Sequence, residues 1–273
     1  MPDRIYLANV GANASHRFSS PLFEDGSFEF IPIPEDRALP DPHAVRYRDL
    51  RSFNKPEGDL RSYVPERLWD TPAHNDPEFK TLTYGDNCET SPRAASLRQI
   101  ERGDLLLFIA RLASFSKPCQ APSTRPTHPT AYGFYLVGFL EIEEVLRDVQ
   151  RRPGARDLRR FSENAHVRRG MSDDRLWDRF WVFGGSDRSR RFRRAVPVTR
   201  AMADRVFTSA DGSPWQWPLN RTELQVIGSY TRSCRCVVDP GLPGHATRAE
   251  ALWEWVREHE GPAAPIAPTR AAR

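Results

Sequence analysis

Lysine is almost missing from this chain: all but three of its 40 basic residues are arginine. Cysteine is scarce as well. Four cysteines in 273 residues are too few for a disulfide framework, and Cys88, Cys119, Cys234 and Cys236 include no pair with the two-residue gap that zinc ribbons use. Reduced thiols and a cytoplasmic location are therefore expected, and spacing alone assigns no metal ligands. No run approaches the ~18 apolar residues of a membrane-spanning helix, and Met1-Pro2-Asp3-Arg4 lacks the basic and apolar regions of a secretion signal. No membrane partner is expected. Absence of a G-x-S-x-G elbow, an H-E-x-x-H pair and a Walker loop takes weight from the serine-hydrolase, zinc-protease and P-loop classes.

Aromatic residues are plentiful by contrast. With 7 Trp, 7 Tyr and 15 Phe the chain carries enough bulky apolar side chain to fold around, although its hydrophobic share is only 39%. No internal repeat or sharp change of composition divides it, so residues 1–261 are read as a single domain followed by a disordered tail, 262–273. Charge is uneven. Residues 147–205 hold 17 arginines against 8 acids, while the rest of the chain holds 23 basic residues against 28 acids. A basic belt on an otherwise acidic chain suits phosphate contacts, and the planar guanidinium fork binds phosphate bidentately. A GC-rich coding sequence produces the same arginine excess without any ligand.

The local patterns indicate an α+β protein. Asp25-Gly26 between apolar runs in residues 20–34 predicts a hairpin. Residues 35–90 lack periodicity but carry Tyr47, Leu50, Phe53, Tyr63, Leu68 and Trp69, which suits ordered coil anchored on a core. Ser91-Pro92, Leu97, Ile100 and Gly103 predict a short helix that stops at a glycine with positive φ. Asp104–Leu112 and Tyr132–Val145 read as two paired core strands joined by a mobile proline-rich loop, 116–130. Ser172, Asp173 and Asp174 predict a helix over 172–180, followed by a strand from Phe180 to Phe183. The pair Thr247 and Glu250 predicts a capping box opening a last helix, with Leu252, Trp255, Val256 and His259 on one face and its end at Gly261.

Two constellations carry chemistry. The non-periodic stretch holding His74, Asn75, Asp76, Tyr84 and Asp86 collects hard oxygen ligands, an imidazole and a phenol within thirteen residues, a set suited to acid–base work or a divalent cation. Turn formation by Asn75-Asp76-Pro77 and Gly85-Asp86-Asn87 accounts for the same residues without any function. Farther on, Asn164 and His166 precede Arg168 and Arg169, and Gly184-Gly185 precedes Arg188, Ser189, Arg190 and Arg191, a combination able to cradle phosphate or simply to form a turn and a solvated face. Trp215, Trp217 and Tyr230 suit either base stacking or the core. Cys234 and Cys236 suit one face of a strand.

At these same residues the chain resembles the third nucleotide-modification-associated domain family. The resemblance rests on Ser20-Pro21-Leu22-Phe23-Glu24-Asp25-Gly26 with Ile31-Pro32-Ile33-Pro34, on Tyr47-Arg48-Asp49-Leu50, and on His74-Asn75-Asp76-Pro77-Glu78-Phe79 with Thr83-Tyr84-Gly85-Asp86. It continues through Gly103-Asp104-Leu105-Leu106-Leu107-Phe108, Val137-Gly138-Phe139, Asn164-Ala165-His166 and Ala195-Val196-Pro197. The strands at Gly103 and Tyr135 are also similar to PUA, ASCH and EVE barrels, whose pocket admits a base. The resemblance implies a central mixed sheet or PUA-like barrel flanked by short helices, in a protein of DNA base modification.

On this basis the expected function is binding of nucleic acid or a nucleotide, with recognition of a modified base. His74, Asn75, Asp76, Tyr84, Asp86, Asn164 and His166 are the expected pocket, and Arg168, Arg169, Arg188, Ser189, Arg190 and Arg191 the expected phosphate ligands. A rival expectation is an enzyme using Asp76 and Asp86 as metal ligands or as acid and base, with His166 as proton carrier. A third is a protein-binding module that uses the arginine belt. Catalytic residues and cofactor are left unassigned.

Overall fold

The computed structural model describes residues 4–16, 18–35, 45–55, 57–115 and 131–261. The expected mobile loop at 116–130 and the expected tail at 262–273 lie outside them. Ten strands occur among the described residues: β1 (Ile5–Val10), β2 (Ser20–Leu22), β3 (Ile33–Pro34), β4 (Ala73–His74), β5 (Thr83–Asp86), β6 (Leu105–Ser114), β7 (Tyr132–Val149), β8 (Phe180–Gly185), β9 (Arg190–Pro197) and β10 (Arg235–Val238). The helices are α1 (Ala155–Phe161), α2 (Ala165–Ser172), α3 (Arg200–Val206), α4 (Glu223–Tyr230) and α5 (His245–Glu260).

The apolar run of β6 is buried on both faces from Leu105 to Ala110, as a central strand requires. Burying each of its leucine and phenylalanine side chains is worth ~1.5–3 kcal/mol, so this run alone fixes where the core sits. On one edge β6 pairs in parallel with β1 and then with β2; on the other it pairs antiparallel with β7. Asp104 sets the parallel register, because its buried carboxylate accepts the backbone N–H of Arg4 and of Glu101, each at 2.9 Å. The large sheet runs β10-β1-β6-β7-β8-β5, with β9 also along β7, while β3 and β4 pair separately. This is an α+β fold around a mixed central sheet, and the described strands do not close into a barrel.

Strand β7 outruns its expected end by four residues. Bulges at Ile142/Glu144 and Leu146/Val149 let its far half turn onto β8. A second apolar cluster lies under residues 45–73, where Tyr47 is buried and Leu50, Tyr63, Leu68 and Trp69 pack beside it, as the anchored-coil reading expects, whereas Phe53, named with them, is exposed. A third joins the end of β7, α1, α2 and β8.

Several local expectations change. The hairpin turn forms at Gly26, which has positive φ, but only the bridge Leu22↔Phe28 follows it. Residues 95–99 form a 3₁₀ helix, not an α-helix, because the buried positions Ala94, Leu97 and Ile100 recur every third residue, the period of a 3₁₀ turn. Gly103 does have positive φ. The helix expected at 172–180 is instead a single 3₁₀ turn at 174–176 capped by Asp173, since α2 occupies Ala165–Ser172 and ends there. Helix α5 starts two residues early, at His245, with Gly244 in the cap position and no side-chain cap, so the Thr247/Glu250 box does not open it. Its buried stripe is Ala249, Leu252, Val256 and Glu260, with Trp253 and Trp255 half-buried on either flank. Trp215 is buried in the core and stacks at 4.4 Å on Tyr230, which is half-buried against it.

Candidate functional site

The residues around His74 and His166 meet on the floor of one cleft of about 910 Å³. Three short devices position them. The β3–β4 ladder pairs Ile33 with His74, which brings Glu35 alongside the imidazole, and His74 Nδ1 lies 2.7 Å from Glu35 Oε1. Strand β5, paired with β8, supplies Tyr84, Gly85 and Asp86. Asn164 caps α2 by accepting the backbone N–H of His166 at 3.0 Å, and its amide reaches Asp76 Oδ2 at 3.3 Å. Asp76 Oδ2 also accepts the Gly85 N–H at 2.7 Å.

Glycine is required at position 85. A Cβ there would stand 2.6 Å from His166 Cδ2 and 2.9 Å from Asn164 Oδ1, so any side chain would push the imidazole and the cap apart. The His74 and His166 rings meet edge to face with centroids 4.8 Å apart, and His166 Nε2 lies 3.9 Å from Asp76 Oδ2. Burial raises the Asp76 carboxyl well above its ordinary range, against the pull of the Gly85 and Asn164 hydrogen bonds. Burial also lowers the His166 imidazole, and the charges of His74 and Arg169 act in the same direction. Burial thus disfavours the charged form of each of these two neighbouring groups. Asp76 Oδ1 and His166 Nδ1 are buried with no hydrogen-bond partner among the described residues.

Of the seven expected pocket residues, His74, Asp76, Tyr84, Asp86 and His166 line the cleft. Asn164 lies just beneath as the clamp on Asp76. Asn75 is turned to Glu78 Oε2 and does not line it. Asp86 accepts the Tyr84 hydroxyl at 2.8 Å and the Asn87 N–H at 2.8 Å. Burial, and then Asp86, raise the Tyr84 phenol well above its usual value. His74, Asp76 and His166, all buried, each offer one ligand atom within 4.8 Å of the others. Of the two carboxylates expected as metal ligands in the enzyme reading, Asp76 belongs to this set and Asp86 does not; 92 positions separate His74 from His166, so only the fold makes the set visible.

The expected phosphate ligands are dispersed. Arg169 lines the cleft, 3.7 Å from Glu35 and 3.9 Å from Asp178. Arg168, beside it on α2, does not line the cleft. Arg188 pairs with Glu141 at 3.4 Å and Arg190 with Glu260 at 2.5 Å. The buried Ser189 hydroxyl accepts the Glu141 N–H at 2.9 Å, and Gly184-Gly185 is strand, not a phosphate-holding turn. Arg191 is buried between Phe28 and Phe53, its guanidinium carbon 4.5 and 3.9 Å from their ring centres, and faces Glu29 at 3.7 Å.

Sequence patterns missed the cleft's own arginines. Arg93, Arg111, Arg221 and Arg232 line it together with Arg169, against only Glu35, Asp76 and Asp86. Arg93 donates to Asn9 O, Arg111 stacks on Tyr132 at 3.8 Å and Arg221 donates to Gln225 O, so none of these contacts engages a carboxylate. No periodic signal could have found them, because they come from separate elements across the chain.

Comparison with protein-family models matches residues 4–226 to nucleotide modification associated domain 3. The chain belongs to that family. No curated protein and no solved structure matches it. As a nucleotide modification associated domain 3 protein, it carries the whole cleft floor and Arg93, Arg111, Arg169 and Arg221 inside the family match, whereas Arg232, β10 and α5 follow it. The family's description associates it with nucleotide modification. Among the described residues no helix is long and apolar enough to cross a membrane.

Proposed function

We propose that this cleft is the active site of a nucleotide-processing enzyme, taking a nucleotide either free or at an accessible position in a strand. The observation that carries this is the pair of unsatisfied buried atoms, Asp76 Oδ1 and His166 Nδ1, at the floor of a cleft ringed by five arginines. Leaving a buried polar atom without a partner costs ~1–3 kcal/mol, a cost that a ligand completing the bonds would recover. A cleft of this size accommodates a nucleotide, with the arginines meeting phosphate while the base or sugar reaches the floor. A buried carboxyl, imidazole and phenol, each shifted by burial and meeting in one cleft, form the kind of set that acid–base chemistry uses.

The test is incubation of the protein with unmodified and modified deoxynucleotides and with DNA, with and without divalent cations, followed by mass spectrometry of the products. Turnover lost in Asp76→Asn and His166→Ala but kept in Arg188→Ala is the expected result. Binding of one base with no product in any condition would overturn the enzymatic role in favour of a reader.

A further inference from the structure

The same three floor residues point to an occupant that the nucleotide reading does not require. We infer that His74, Asp76 and His166 form a site for one divalent first-row transition ion of the Zn²⁺ or Fe²⁺ type. It rests on the proposed function only in where the ion would act; the site stands on its own geometry.

Four observations converge. The donor set is two imidazoles and one carboxylate, all buried, with ligand atoms within 4.8 Å of one another. Such a set suits borderline ions and leaves coordination positions open for water or substrate, whereas Mg²⁺ and Ca²⁺ take oxygen-rich shells. Each donor is also already oriented through its other atoms. Glu35 holds His74 by Nδ1 at 2.7 Å, leaving Nε2 to ligate, in the carboxylate–imidazole arrangement that supports metal-binding histidines. Gly85 N–H and Asn164 Nδ2 hold Asp76 by Oδ2, leaving Oδ1 without a partner. His166, fixed at the start of α2 by Asn164, keeps Nδ1 unpartnered.

Charge is the third observation. Asp76 and Glu35 together match a dication in a place where Arg169, 3.7 Å from Glu35, supplies the one neighbouring side-chain charge of the same sign that the described ion pairs show. Access is the fourth: all three residues line the open cleft, so an ion seated there faces incoming solute. A metal–ligand bond of ~2.1 Å sets ligand atoms about 3–4 Å apart, so separations of up to 4.8 Å close by about 1–2 Å on loading.

The probe is the metal alone. Chelator-stripped full-length protein is titrated calorimetrically with Zn²⁺, Mn²⁺ and Mg²⁺, and with Fe²⁺ without oxygen; Co²⁺ loading is followed by its visible absorption. One equivalent of Zn²⁺ or Fe²⁺ is expected to bind at least tenfold more tightly than Mg²⁺. His74→Ala and His166→Ala should abolish that binding, and Glu35→Gln should weaken it ~10–100-fold. Should an alanine variant fail to fold, the wild-type measurements still decide, because bound Co²⁺ must show nitrogen ligation and raise the melting temperature. No transition-ion binding by the wild type, or binding unchanged in a folded His166→Ala, would overturn the site. Ion binding without nucleotide turnover would leave the site standing and defeat the proposed function; turnover by protein that binds no ion would do the reverse.

Discussion

Two buried charged clusters in this molecule are built on opposite plans. Glu29 is 2% exposed, and its carboxylate accepts the Ser52 hydroxyl at 2.5 Å, the backbone N–H groups of Phe53 and Asn54 at 2.9 and 3.2 Å, and the Asn54 amide at 3.0 Å. Arg191 completes it, donating to Phe28 O from between two aromatic rings, with only Nε left without an acceptor. Burial pulls this guanidinium down to about 10 against the opposing effect of Glu29. Asp76 is 5% exposed and also removed from bulk water, yet one of its oxygens and Nδ1 of the neighbouring His166 have no partner among the described residues. The first cluster is closed and ties the 52–54 loop to β9. The second keeps two unfilled atoms, and its residues line a cleft. The two clusters are both buried and differ in their unfilled atoms, one in the first and two in the second, and the proposed function rests on the second.

Breaking the closed cluster should have the largest effect on stability. Glu29→Ala or Arg191→Ala leaves an unpaired buried charge and is expected to cost ~3–5 kcal/mol, read as a drop in the denaturation midpoint. A loss below about 1 kcal/mol would mean the cluster is not what ties the loop down. Gly85→Ala comes next, at ~1–3 kcal/mol, because the new Cβ meets the His166 ring and the Asn164 cap at under 3 Å. Asp76→Asn should barely change the melting curve, within about 1 kcal/mol, since an amide oxygen keeps the bonds from Gly85 and Asn164 while the buried acid is removed. Stability loss in Asp76→Asn equal to that of Arg191→Ala would erase the distinction between the clusters. The smallest effect concerns thiols. Burial raises the Cys234 thiol to about 12, so alkylation of Cys234 at pH 8 in the native protein should be far slower than in unfolded protein, accelerating only as pH nears that value.

The difference between the clusters also explains what was legible in the amino-acid chain. Strands β6 and β7 could be read because an apolar run between a glycine stop and a polar loop has few alternatives. The floor residues were legible as residue types in loops, where His74, Asp76, Tyr84 and Asp86 lie close in sequence. Their partners were not. Glu35 reaches His74 only through two strands of two residues each, and α2 is an eight-residue helix whose buried positions, Ala165, His166, Val167 and Gly170, give no strong apolar stripe. The arginines of residues 188–191 were legible as a basic run but their partners were not, because Glu141, Glu260 and Glu29 arrive from distant segments.

Hydrogen–deuterium exchange with and without a deoxynucleoside monophosphate tests most directly whether function lies in the open cluster or along the arginines of β9. Slowed exchange at residues 87–93 and 228–232, which border the cleft, with residues 186–197 unchanged, is the predicted result. Slowed exchange confined to residues 186–197, with the cleft segments unchanged, would contradict it.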